Sequence, residues 1–399
     1  MEQQINNKIS DYFLKKFVAL YLLLIPFDNF RFPIINISSS NLIILLAFSV
    51  CVIRLIQIRK FSAMLFSVLP FPFLIGSSVF IVVTPVAILF DATTISGFNG
   101  IFFIILIWIY YYVSSSLSFQ SRNYLHFILK WLLISLFIAT LIGYYEVFYF
   151  LKYNVFWKEP SIMRINSIIL VRMQGTYFDP NYFSVMPLMG LSIALSIEAK
   201  KMTKLFLFFF FFIAVIFTFS RMAFIALAIM LLVNLFSRIN RTKRRLLLIA
   251  ITAFTIIFIP SIWRFLLNMN IESFEQRLII LQSGINEFSK SPLFGYGFDK
   301  RVLMNTALME THNTFLQVLL YGGIFSFIFI YIPLLFHIIL VYNKYFIFRV
   351  KNDIGHFIVT FAPVFFVILF FLSYLNLKYF WIFLFLVIQH RYTQYLEKY

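Results

Sequence analysis

Twelve stretches of this chain are nearly free of charge and approach 20 residues in length, and most are separated only by short polar connections. A helix needs about 20 apolar residues to cross roughly 30 Å of hydrocarbon, so this pattern restricts the chain to very few folds. The stretches lie at about 14–29, 41–58, 61–83, 97–117, 124–150, 181–198, 203–219, 221–237, 246–266, 312–342, 353–373 and 377–390. Backbone polar groups find no water inside a bilayer, so each stretch must satisfy its own groups as a helix. A soluble alternative fails on composition. With 62% hydrophobic and 12% charged residues, the surface of a 399-residue globule would be largely Phe, Ile and Leu. The expected fold is an all-α polytopic membrane protein of about 12 transmembrane helices, one integral unit over 1–399, without a soluble domain or internal repeat. The region around Pro70, Pro72 and Pro85 is a candidate for broken helix in place of one clean crossing.

The formal net charge of +18 suggests a nucleic-acid ligand until the charges are assigned to sides. With the N-terminus inside, alternate connections carry 21 of the 33 basic residues, including Arg238, Arg241, Lys243, Arg244 and Arg245 in one run. The opposite side carries 10 of the 15 acidic residues. This is the asymmetry that orients membrane helices, so no nucleic acid is needed to explain the charge, and both termini are expected in the cytoplasm. Cys51 stands alone and excludes an intrachain disulfide. The N-terminal segment is polar for too long to be a signal peptide and lacks a small-residue cleavage site, so the first stretch is expected to be retained.

Two outer segments are long, 151–180 and 267–311. The second contains FEQRLIILQSGINEF, where apolar residues recur at three- and four-residue intervals, as in a helix lying on the membrane surface. Loops held by a rigid bundle commonly carry function.

Polar chemistry concentrates at these outer segments. Of five histidines, four fall toward the cytoplasmic side, whereas His312 directly precedes the tenth span at its outer end. Asn313 and Gln317 follow at a spacing that puts them on one helix face. Thr311, His312 and Asn313 could simply cap that helix. Alternatively His312 is a general base facing an outer cavity. Arg172, Arg221, Arg277 and Arg264 occur in outer stretches that are otherwise apolar or tightly turned. Arg264 reads as snorkelling to the interface. For Arg172 and Arg221, an ion pair with Asp179 or Glu146 competes with phosphate binding through paired hydrogen bonds. There is no P-loop, zinc-type cluster or Asp-x-Asp pair, so any phosphate is expected to be neutralised by Arg, with no metal and no cofactor. The glycines of PLFGYGF, Gly295 and Gly297, suggest a tight turn returning the loop toward His312.

Four ordered signals resemble the O-antigen polymerase and O-antigen ligase superfamily of bacterial polysaccharide assembly. They are Arg-x-x-Gly-x-x-x-Asp-Pro-Asn from Arg172 to Asn181, Ser220-Arg221, PLFGYGF preceded by Arg277, and His312-Asn313 followed by Leu316 and Gly322. They span roughly the second half of the chain. The resemblance implies a helical bundle in the bacterial inner membrane, with a large periplasmic loop before the tenth helix. It implies a metal-independent glycosyltransferase whose donor is a glycan on undecaprenyl pyrophosphate. His312 would activate the acceptor hydroxyl, and Arg172, Arg221 and Arg277 would hold the pyrophosphate, supported by Asp179, Asn181, Asn313 and Gln317. Partners would be the lipid-linked glycan, the bilayer and, for a polymerase, a chain-length regulator protein. The Phe-rich composition, 56 of 399 residues, leans toward polymerase. A ligase acting on the lipid A-core sugar stands as the alternative. A lipid-linked oligosaccharide flippase is a third reading, disfavoured by the long outer loop and the absence of two similar halves.

Overall fold

The computed structural model describes residues 2–28, 38–58, 71–90, 96–120, 123–153, 161–165, 168–239, 271–298, 311–346, 352–373, 375 and 377–396. Among these lie twelve α-helices: α1 Glu2–Leu24, α2 Ser39–Ile58, α3 Phe71–Phe90, α4 Ser96–Gln120, α5 Tyr124–Tyr153, α6 Pro180–Ser196, α7 Lys201–Phe217, α8 Arg221–Arg238, α9 Ile271–Lys290, α10 Thr314–Phe346, α11 Asp353–Phe371 and α12 Lys378–Leu396. A 3₁₀ turn, Ile25–Phe27, follows α1. By length and composition, α5, α8, α10 and α11 can cross a membrane, and shorter apolar stretches occur at 39–50, 73–85, 99–115 and 378–390. The fold is all-helical apart from one hairpin.

Several helices start where the sequence supplies a cap. Asp179 accepts from the Asn181 N–H ahead of Pro180 in α6, Ser220 accepts from Ala223 in α8, and Asn352 accepts from Gly355 in α11. The most deeply buried helices are α6, α11 and the first half of α12; residues from Tyr379 to Ile388 are all nearly inaccessible. Around this centre, α6 packs on α5, α7 and α8, and α11 packs on α8 and α10. The first helices form a flank in which α1 meets α2, α4 and α5, while α3 lies against α10. The outward faces of α7 and α10 are themselves apolar, with Leu205, Phe206, Phe209, Ile324, Ile328 and Ile332 exposed. A continuous apolar exterior of this kind suits a lipid solvent.

The tenth span differs from the unbroken helix expected over 312–342. At Gly323 the backbone turns to φ 63° and ψ −168°, breaking the i to i−4 ladder within α10. The segment 292–298 repairs the break. Tyr296 and Gly297 donate their N–H groups to the carbonyls of Leu320 and Tyr321, and Ile324 and Phe325 donate theirs to the carbonyls of Pro292 and Leu293. Phe298 N–H then reaches Thr84 Oγ1 on α3 at 2.8 Å. Glycine is required because Gly295 and Gly297 have positive φ, and a Cβ at Gly323 would fall on the Leu293 carbonyl. PLFGYGF therefore returns to the helix that His312 precedes, but it docks 8 to 13 residues further along, at Leu320–Phe325.

Other boundaries also moved. The first helix begins at Glu2 rather than near 14, because its amphipathic start continues the same turn pattern. The third spans Phe71–Phe90 and runs through Pro85 without a break, so the broken helix expected around Pro72 and Pro85 is not found, while Pro70 lies outside the described residues. Much of the 61–83 stretch before it, the ninth stretch at 246–266, Arg264, and residues 154–160 and 299–310 of the outer segments lie outside the described residues. The first outer segment contains an antiparallel hairpin, β1 Ile162–Ile165 and β2 Ile168–Val171, with Ile162 opposite Val171 and Ile165 opposite Ile168. A helix, α9, covers the 274–288 stretch where the sequence periodicity predicts one.

Candidate active site

β2 delivers the chain into Arg172, and three hydrogen bonds define what that residue does. Its own N–H donates to Ser161 O, its Nε donates to Thr218 O at 3.1 Å, and a terminal guanidinium nitrogen donates to Asn181 Oδ1 at 3.2 Å. The same Asn181 oxygen accepts from Ser220 Oγ at 2.8 Å. One amide thus joins the Arg172 loop, the start of α6 and the turn into α8. The loop is pinned from behind by the Glu146 carboxylate of α5, which accepts from the N–H groups of Gln174 and Gly175 at 2.9 and 2.7 Å. Such charge-assisted bonds to a buried carboxylate are among the stronger ones available. Among the described residues Arg172 has no carboxylate within ion-pair distance; its partners there are neutral oxygens. The ion pair weighed from sequence is therefore not formed.

Arg221 opens α8, and Arg277 lies on α9 with its guanidinium partly covered by neighbouring atoms. Burial lowers the Arg172 guanidinium, Asp179 pulls it back up, and Arg221 lowers it again. Arg277 is lowered by burial and by Arg221, and raised by Asp179. Asn181 supplies the geometry behind these influences: it accepts from Arg172 and from Ser220, the neighbour of Arg221, and its N–H donates to Asp179, while Arg277 is tied to the group by its electrostatic coupling to Arg221 and Asp179. Three guanidiniums against one carboxylate leave it strongly cationic, and arginine stays protonated despite such shifts. Asp179 is partly committed to capping α6, which further weakens its claim on the arginines.

His312 lies just before Asn313, whose Oδ1 accepts from Leu316 N–H at 3.0 Å and caps α10. The capping role foreseen for this tripeptide falls to Asn313 and leaves the imidazole uninvolved. Among the described residues, His312 (φ 46°) and Phe219 (φ 47°) are the two non-glycine residues with positive φ. Each stands immediately before an N-cap residue, Asn313 and Ser220. The left-handed region costs an L-residue about 1–2 kcal/mol, so both turns are held by their surroundings.

What holds His312 is the connection between α11 and α12. Thr311 Oγ1 pairs with Ser373 Oγ at 2.9 Å, Thr314 Oγ1 donates to Leu372 O at 2.6 Å, and Gln317 Oε1 accepts from Leu375 N–H at 3.3 Å. Asn313 Nδ2 also reaches Phe370 O, at 3.4 Å. Asn313 and Gln317 share a face as expected, but that face is turned to this connection, and Gln317 is buried. From the other side, Tyr182 of α6 donates to Ser373 O at 3.5 Å. Ser373 therefore bridges the His312 turn to the residue following Asn181. On the helix that carries Arg277, Gly284, seven residues further on, lies against Leu316 of α10. Thr311, Ser373, Ser220 and Glu146 are the supporting residues that sequence reasoning did not single out for these tasks. Among the described residues no group of three His, Cys, Asp or Glu side chains is arranged to hold a metal ion.

Residues 206–331 match the family model described as O-antigen ligase. This match, over about a third of the chain, supports a relationship to the O-antigen polymerase and ligase superfamily. Members of the superfamily are glycosyltransferase-like enzymes of the membrane. The matched stretch runs from α7 into α10 and contains Arg221, Arg277 and His312, whereas Arg172, Asp179 and Asn181 precede it. Among curated proteins and solved structures no match was found.

Proposed function

We propose that this chain is a member of that superfamily and a metal-independent glycosyltransferase that polymerises undecaprenyl-pyrophosphate-linked repeat units at the periplasmic face of the inner membrane. The observation supporting this reading is that Asn181 ties Arg172 to the turn carrying Arg221, with Arg277 electrostatically coupled to Arg221 and Asp179, and that Tyr182 and Ser373 link this group to an imidazole without a hydrogen-bond partner among the described residues. In this mechanism His312 takes the proton from an acceptor sugar hydroxyl. The oxygen attacks the anomeric carbon of the donor glycan, and the bond from that carbon to the pyrophosphate breaks. Arg172, Arg221 and Arg277 hold the phosphates and stabilise the charge that develops on the leaving undecaprenyl pyrophosphate. A positioned base contributes about 10²–10⁴-fold, a modest requirement when the leaving group is a pyrophosphate. The bilayer holds the polyprenyl chain, and about 12 helices with both termini in the cytoplasm suit an outward-facing site.

The family description favours a second reading, a ligase that transfers the finished glycan to the lipid A-core. The two differ only in acceptor. Deleting the gene and inspecting the lipopolysaccharide separates them: core bearing a single repeat unit identifies a polymerase and bare core identifies a ligase. A His312→Ala chain that inserts normally should reproduce the deletion phenotype, whereas normal glycan in that strain would remove the base assignment.

A further inference from the structure

At the N-terminus of α12, Lys378 is almost wholly buried, its side chain 3% exposed, and its ammonium lies 2.9 Å from Asp28 Oδ2. It also donates to Ser40 Oγ, which in turn donates to Asp28, and it sits 5.4 Å from the centre of the Tyr21 ring. This is an expensive position for a cation. A helix N-terminus repels positive charge, and burial removes its hydration, so the lysine is tolerable only because Asp28 answers it. Asp28 comes from the turn after α1 and Ser40 from the start of α2, so the pair ties the first two helices to the last.

Lys378 closes the same short connection, Leu372–Lys378, that carries the partners of Thr311, Thr314 and Gln317 around His312. Its partner Asp28 closes the 3₁₀ turn that packs on α5, the helix whose Glu146 pins the Arg172 loop at Gln174 and Gly175; in that loop, burial and then the Asp28 carboxylate push the phenol of Tyr177 up. One ion pair thus stands between the His312 turn and the arginine loop.

We propose that the Asp28–Lys378 pair is a positioning device for glycan transfer, fixing the placement of the His312 turn relative to the Arg172 loop. Neither residue touches the reacting atoms. The role rests on the transferase reading above, and the test separates the two ideas. A lone Lys378→Met leaves the half-buried Asp28 without its partner and endangers folding, so the decisive variant is Asp28→Asn with Lys378→Met, which removes both charges together. Full-length protein in membrane vesicles is supplied with lipid-linked glycan extracted from the producing cells, and amide hydrogen exchange is followed in parallel. In the double variant, exchange over 172–181 and 311–317 should rise about tenfold while α8 is unaffected. Turnover at saturating donor should fall about 10–100-fold, with the half-saturating concentration within about twofold of wild type, as expected when reacting groups are misplaced by an ångström or so. Lys378→Arg should retain more turnover than Lys378→Met. Unchanged exchange with unchanged turnover overturns the proposal, as does uniformly faster exchange in every helix, which marks a general scaffold. A rise in half-saturation alone also overturns it, by indicating direct contact with substrate. Wild-type protein that transfers nothing from the lipid-linked donor sinks the transferase reading, and the exchange data then decide the positioning claim alone.

Discussion

His312 carries a backbone conformation that glycine adopts freely and other residues resist. If the imidazole is the base, stability and activity should separate at this one position. His312→Gly is expected to be more stable than His312→Ala by about 1 kcal/mol, because alanine keeps the steric cost and glycine removes it. Both should be inactive in glycan transfer; thermal unfolding in detergent measures the first difference and the glycan ladder the second. The arginines allow a complementary test. Lysine preserves charge but cannot present a planar fork to a phosphate, so Arg221→Lys or Arg277→Lys should lower transfer about tenfold or more. Retained activity in both lysine variants would argue for simple electrostatic attraction in place of paired hydrogen bonds. Sequence pointed to these side chains because a cation or imidazole among apolar neighbours is conspicuous. It gave no sign of Ser373 or Lys378, whose partners lie 62 and 350 residues away along the chain.

At the scale of elements, legibility depended on length. The periodicity of FEQRLIILQSGINEF extends over four turns and predicted α9 correctly, while β1 and β2 are four residues each, too short for alternation to stand out from the surrounding apolar run. The two residues between them, Asn166 and Ser167, were the available hint, since a two-residue link between apolar runs suits a hairpin. The break in α10 was missed for a different reason. Gly322-Gly323 sits in an uninterrupted apolar stretch, and membrane helices tolerate glycine without breaking. Only the hydrogen bonds from 292–298 reveal that the ladder is open there. Gly323→Ala should therefore act through two elements at once, displacing the Leu293 carbonyl and costing about 3 kcal/mol or more. Loss of thermal stability, with faster exchange at residues 292–298, would be the expected signature; wild-type behaviour would mean that the segment relaxes around a methyl group.

For the whole molecule, hydropathy conveyed the class of fold and the charge asymmetry conveyed an orientation, because both are properties summed over many residues. That orientation can be checked in intact cells after replacing Cys51 by serine. A cysteine at Ser289, exposed on α9, should react with an impermeant thiol reagent, and one at Lys201, exposed at the start of α7, should be protected. The reverse pattern would turn the candidate site toward the cytoplasm and remove the periplasmic reading.

The interrupted helix α10 also bears on how the chain is made. Ribosomes deliver α3 and residues 292–298 before the second half of α10 exists, so donors and acceptors for Leu320, Tyr321, Ile324 and Phe325 are synthesised ahead of the groups that need them. Lipid offers no substitute for those bonds. The order of the elements along the gene therefore matches an order of assembly in which a template for the kink is already present when the kinked helix leaves the insertion machinery.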